Sequence, residues 1–249
     1  DADSITVAGG VGSLASVLGG EGGDTIVVLD GVAGSVAGED GDDDIDVSEG
    51  ITGTVTGDDG DDSISQNTSG DDGRVTGTMS GGDGADTIYN AGILGDNGAN
   101  SNVGVISGGE GADSITQVDD MEEGSVINGG AGDDTITTGA AKDALFGGAG
   151  DDVLTGGAAA DEMTGGADKD KFVIESGNQL GEQDTIMDFV VADDKLTYGG
   201  DAGSTGNYAE SAGDKASFND AREAANSLLD GTVVYAAVDT RLDRTVALK

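Results

Sequence analysis

The chain of 249 residues has no cysteine, proline, tryptophan or histidine, and sets only 10 Lys and Arg against 50 Asp and Glu. Each shortage excludes something. Without Cys there is no disulfide framework and no thiolate metal site. Without His the usual general base is gone, and with it the Ser-His-Asp and Cys-His arrangements and the His-rich zinc sites. Without Pro, and without a three-residue period, the 48 Gly do not signal collagen. A net charge of −40 argues against nucleic acid and anionic membrane as partners. No run approaches the roughly 18 apolar residues of a membrane span. The opening DADSITVAGG has no basic or apolar signal region and no initiator Met, so a processed product or an excised fragment is expected. High charge with few aromatics is also the composition of a chain that stays disordered. A folded reading therefore requires that something neutralise the acid.

What is present is a repeat. From Gly129 to Val173, five nine-residue units run without a gap: GGAGDDTIT, TGAAKDALF, GGAGDDVLT, GGAAADEMT and GGADKDKFV. Further copies begin at Gly19, Gly38, Gly57, Gly81 and Gly108, and Asp3-Ser4-Ile5-Thr6 is the tail of another. Each unit opens with small residues, places an acid sixth and a large apolar residue eighth. Carboxylates are hard oxygen ligands of the kind that suit calcium.

The nonapeptide resembles the RTX repeat, the calcium-binding GGxGxDxUx unit of secreted bacterial proteins and a β-helix signature. The resemblance covers about residues 3–173. The apolar eighth residues are Ile26, Ile45, Ile64, Ile88, Ile115, Ile136, Leu154 and Phe172. A second apolar series, Val17, Val36, Val55, Met79, Ile106, Ile127, Leu145 and Met163, precedes each of them by nine residues. The return distance varies between nine and 18 residues. One turn of a solenoid is then two half-turns, whose two strand series face each other across a thin apolar core. One half-turn keeps a fixed length because its backbone wraps a metal, and the other takes insertions. The fold expected is all-β: a right-handed parallel β-roll over 1–173, followed by a C-terminal cap over 174–249.

The insertions at 65–80, 89–107 and 116–128 fall on the metal-poor edge and read as tolerated loops or as a contact face. On that edge Gly34, Gly53, Gly77, Gly104 and Ser125 stand where an acid is expected, and only Asp143 and Asp161 restore it. Calcium is therefore expected along one edge throughout and on both edges only near 138–173. After Val173 the segment Asp184 to Phe189, followed by Asp193-Asp194-Lys195-Leu196, is similar to the one that closes the roll in many RTX proteins. Ser217 to Leu229 reads as a helix with Ser217 as N-cap. Thr232–Val238 and Thr245–Leu248 read as a hairpin. The arrangement is similar to the C-terminal region of type I exported proteins, although two Arg in the turn Asp239–Arg244 put a metal there in doubt.

The resemblance implies how metal is held. Carbonyls of positions one to four bind ions on either side of a turn, and the sixth-position Asp is shared. The shared acids are Asp24, Asp43, Asp62, Asp86, Asp113, Asp134, Asp152 and Asp170, with Asp143 and Asp161 on the second edge. The carbonyl-bearing glycines are Gly19, Gly20, Gly22, Gly81, Gly82, Gly84, Gly108, Gly109, Gly111, Gly129, Gly130, Gly132, Gly147, Gly148, Gly150, Gly156, Gly157, Gly165 and Gly166. About eight Ca²⁺ are expected, offsetting about 16 of the 40 negative charges. Glu39, Asp58 and Asp168 replace small residues, which makes a positive φ costly there.

Three functions remain: a secreted structural calcium-binding protein of a surface layer, matrix, filament or adhesin; the secretion and folding module of a larger RTX enzyme or toxin; or an enzyme. The last is weakest, because the acids are absorbed by the repeat and the four Tyr and four Phe form no sugar-stacking cluster. The expected place is outside the cell or on its surface. The expected partners are calcium and, since the chain starts inside a rung, further copies joined head-to-tail or laterally.

Overall fold

The computed structural model describes residues 1–94, 104–118, 125–174, 184–198, 235–239 and 244–248. Nonapeptide tails and the segments before each GG motif form strands that alternate between two sheets. One sheet has ten strands among the described residues, from Ser4–Val7 through Thr25–Val28 and Asp44–Val47 to Lys195–Tyr198. The other has eleven, from Ser16–Glu21 and Ser35–Asp40 to Arg244–Leu248. Neighbours are parallel, except that Tyr235–Asp239 and Arg244–Leu248 pair antiparallel at the C-terminal end. The result is a parallel β-solenoid with no helix among the described residues.

Both apolar series stack in register. In the first sheet Ile5, Ile26, Ile45, Ile64, Ile88, Ile115, Ile136, Leu154, Phe172 and Leu196 lie directly above one another. In the second, Val17, Val36, Val55, Met79, Ile106, Ile127, Leu145, Met163 and Ile186 do the same. From Ile26 to Phe172 these side chains are essentially fully buried. A one-residue slip would turn an apolar column to solvent, so the pattern pins the register. Each fully buried side chain contributes roughly 2 kcal/mol.

A third apolar column was not read from the spacing. Val11, Val32, Ile51 and Val75 bridge one another along the second edge, and Val75 continues to Leu94. All five are buried. Their signal is a shorter motif, Gly31-Val32-Ala33-Gly34-Ser35-Val36, repeated as Gly50-Ile51-Thr52-Gly53-Thr54-Val55. It shows why the acid is missing there. A Cβ on Gly53 would lie 2.0 Å from the Gly34 carbonyl oxygen, and one on Gly77 would lie 1.9 Å from that of Gly53. The early turns of this edge have no room for an Asp.

Two boundaries move. Stacking does not end at Val173: Thr185–Ile186 pairs with Glu162-Met163, and Lys195–Tyr198 pairs with Lys171–Ile174. The two segments read as a closing region are one more turn of the roll. The insertion at 65–80 is largely strand, since Ser63–Val75 runs unbroken and pairs with Thr87–Leu94 through two register shifts. The expected helix Ser217–Leu229 lies outside the described residues, as do 95–103, 119–124 and the turn at 240–243. The expected hairpin pairs Tyr235 with Leu248.

Gly77→Asp, which restores the expected acid on the second edge, should abolish or strongly destabilise the fold rather than add a metal site. Its thermal melt in calcium, compared with the unaltered chain, checks this.

Candidate metal centre

The eight turns on the first edge share one backbone form. Residues two and four of each have positive φ, from Gly20 and Gly22 to Gly166 and Asp168. Glu39, Asp58 and Asp168 adopt it despite a Cβ, with φ of 79°, 78° and 78°. For non-glycine residues this conformation is unfavourable, so a force in the turn must hold it.

The sixth-position acids are the centre of that turn. Asp24, Asp43, Asp62, Asp86, Asp113, Asp134, Asp152 and Asp170 are at most 2% exposed. Each offers one oxygen to the turn before it. The Asp24 N–H donates to Asp43 Oδ1 at 2.7 Å, Asp43 to Asp62 at 2.8 Å, and so on to Asp152 and Asp170 at 3.1 Å. Oδ2 of the first seven is buried with no hydrogen-bond partner. It lies over position one of its own turn. A Cβ on Gly57 would be 1.9 Å from Asp62 Oδ2, and one on Gly81 2.0 Å from Asp86 Oδ2. The first glycine is therefore required by the carboxylate above it.

Seven buried, unpartnered carboxylate oxygens in a row are costly without a counter-charge. Successive turns lie about 4.8 Å apart. Neighbouring charges then repel by roughly 3 kcal/mol at an effective dielectric of about 20. That rivals the roughly 4 kcal/mol from the two buried apolar side chains per turn between Ile106 and Leu154, although the early turns bury up to four, such as Val36, Ile45, Val47 and Ile51. Outside the ladder, Glu21, Asp40, Asp59, Asp83 and Glu110 also stack in register, before Ala131, Ala149 and Ala167 take over. The repulsion therefore cancels much of what the apolar core contributes, most completely where the core is two side chains wide.

The metal-free ladder accordingly resists ionisation. Burial, reinforced by neighbouring aspartates and opposed by the backbone N–H bond, pushes Asp62 and Asp152 up to about 7. The same causes raise Asp86, Asp113 and Asp170 to about 6.

The donor set suits calcium. Among the described residues no three acidic side chains converge on a point. A site here would combine one or two carboxylates with the carbonyls of positions one to four, a mixture that calcium accepts with six to eight oxygens. Bound calcium supplies the positive charge the ladder lacks.

A family model for the RTX calcium-binding nonapeptide repeat, four copies long, matches residues 78–91, 124–154 and 137–172. The chain carries RTX repeats. The match covers the most regular RTX turns, and those at Gly19, Gly38, Gly57 and Gly108 share their backbone form. No curated protein and no solved structure matches the chain.

On the second edge the structure brings Ser125, Asp143, Asp161 and Asp184 into one ladder, with N–H to Oδ1 distances of 2.7, 2.8 and 3.2 Å. Among the described residues of this edge, only 156–161 has the RTX turn backbone, with positive φ at Gly157 and Ala159. The turn 138–143 does not, because its position one is Thr138, whose hydroxyl donates to the Gly156 carbonyl. Upstream the position of Thr138 is filled by Gln117, Asn90 and Gln66, whose amides and the Gly92 peptide form a buried network. Sequence reasoning missed Asp184 and Asp194 as ladder members. Their signal was the unit tail Asp-x-Ile or Asp-x-Leu, the same as Asp3-Ser4-Ile5.

Asp113→Asn should raise the calcium concentration needed for folding and lower the ion count by about one or two, because one acid serves two neighbouring gaps. Asp133→Asn, on an exposed side chain, should change stability by less than about 0.5 kcal/mol. Calorimetric titration distinguishes the two. For pH, a carboxylate raised in the folded form holds a proton between its unfolded and folded values only when folded. Stability of the metal-free roll is thus present in acid and falls as pH rises from about 4 to about 7. Circular dichroism in chelator should show more strand at pH 5 than at pH 8.

Proposed function

We propose that this is a secreted, non-enzymatic structural protein whose RTX roll folds when it meets calcium outside the cell, as part of a surface layer, matrix, filament or adhesin. The row of buried Oδ2 atoms carries this reading. It makes the roll dependent on a divalent cation, so that binding energy becomes folding energy. Extracellular calcium modules work at about 10⁻⁴–10⁻³ M, a concentration met outside and not inside a cell. Such a chain can be exported unfolded, as type I secretion requires, and set afterwards. The seven unpartnered oxygens of the first ladder correspond to about seven ions, with about one more near Asp161.

The structural role rests on the uniform stack of metal-clamped rungs, which suits head-to-tail or lateral association between copies and attachment at a cell surface. The alternative is a secretion and folding module of a larger RTX enzyme or toxin.

At pH 8 the purified chain should lack strand signal in chelator and gain it in millimolar calcium. Electron microscopy of the calcium form at high protein concentration should show filaments or sheets. Strand signal at pH 8 without calcium would contradict the folding claim, and monomers alone would favour the module.

A further inference from the structure

The last turn of the first ladder is built differently from the eight above it. Asp188 follows Ile186 in the second sheet, where a GG motif would begin the next RTX turn. Its carboxylate accepts the N–H of Gly165 at 2.9 Å and of Gly166 at 2.8 Å, one on each oxygen. Asp194 takes the ladder position, and its Oδ1 accepts the Asp170 N–H at 3.1 Å. Unlike the seven unpartnered acids, its Oδ2 is occupied, by the Val190 N–H at 2.6 Å. The backbone also closes on itself, since the N–H groups of Asp193 and Asp194 both donate to the Val190 carbonyl. None of residues 187–193 has positive φ. From Asp188 to Asp194 the turn is one residue longer than from Gly165 to Asp170.

We propose that the turn Asp188–Asp194 is a metal-free end-stop of the calcium ladder, and that Asp188 is the positioning residue that closes it. Its carboxylate supplies the acceptors for Gly165 and Gly166 at the place where an RTX turn would open with GG. Two charge-assisted bonds hold the Gly165-Gly166 backbone in the RTX turn form, so that the final metal turn is kept in shape from below without a further ion. Within the turn, Asp194 Oδ2 and the Val190 carbonyl are taken up by its own N–H groups, so the ladder aspartate keeps no oxygen for metal. Asp188 therefore acts on calcium binding through the backbone of the turn above.

The inference rests on the reading that calcium fills the upstream gaps, and the two are separable. The experiment is a calcium titration of the full chain followed by circular dichroism, with bound ions counted by equilibrium dialysis. The unaltered chain is compared with Asp188→Ala and Asp188→Asn. Asp188→Ala should need about two- to fourfold more calcium at its midpoint, the loss of two charged hydrogen bonds being shared among several ions. It should bind the same number of ions at saturation. Asp188→Asn, which keeps one acceptor oxygen, should fall between. One ion fewer with little change in midpoint would overturn the proposal, because Asp188 would then be a ligand. An unchanged midpoint with an unchanged count would overturn it as well. If Asp188→Ala does not fold at any calcium concentration, the same two readings on Asp188→Asn decide. An unaltered chain that ignores calcium would overturn the parent reading, whereas failure confined to the variants overturns only the end-stop.

Discussion

Everything in this molecule depends on one contact: a buried aspartate that gives one oxygen to the N–H of the turn before it and keeps the other for a cation. The first oxygen sets the spacing and order of the turns. The second, buried without a partner from Asp24 to Asp152, makes that order conditional. A protein-only ladder of this kind stacks like charges about 4.8 Å apart, against an apolar core that narrows to two side chains per turn between Ile106 and Leu154. The positive φ at Glu39, Asp58 and Asp168 marks the same conditionality in the backbone. Divalent metal resolves both, since it draws the turn around itself and cancels the charge.

The second edge meets the same closing problem by three means along one axis. In the early turns Val11, Val32, Ile51 and Val75 close it with apolar packing, and glycines press against the neighbouring carbonyls. In the middle, Gln66, Asn90 and Gln117 close it with buried amides. Among the described residues, only near Asp161 does it take the RTX turn form. Metal dependence is thus concentrated on the first edge, and the second edge was free to vary in length and chemistry.

Much of this was legible in the chain itself. The nine-residue period, the paired apolar series and the sixth-position acids gave the sheets, their register and the first ladder residue by residue. Those features are local and repeat identically, so each turn reports on the next. What escaped notice breaks the period. Val32 and Ile51 belong to a shorter motif outside the nonapeptide. Asp184 and Asp194 carry only its tail. Thr138 sits in a unit that matches the repeat by count but lacks the small first residue the carboxylate needs. The insertion at 65–80 interrupts the pattern and reads as a tolerated loop or a contact face, yet most of it continues the strand Ser63–Val75.

The central claim is that metal binding and folding of the roll are one event, driven by the unpartnered oxygens of the first ladder. Native mass spectrometry across a calcium titration tests it most directly, because ion count and compactness are read on the same molecules. The account predicts two populations, an extended chain with few ions and a compact one with about eight, exchanging without intermediates of half-filled compact protein. A chain compact at pH 8 without calcium, or one that takes up the ions one by one while staying extended, would contradict it.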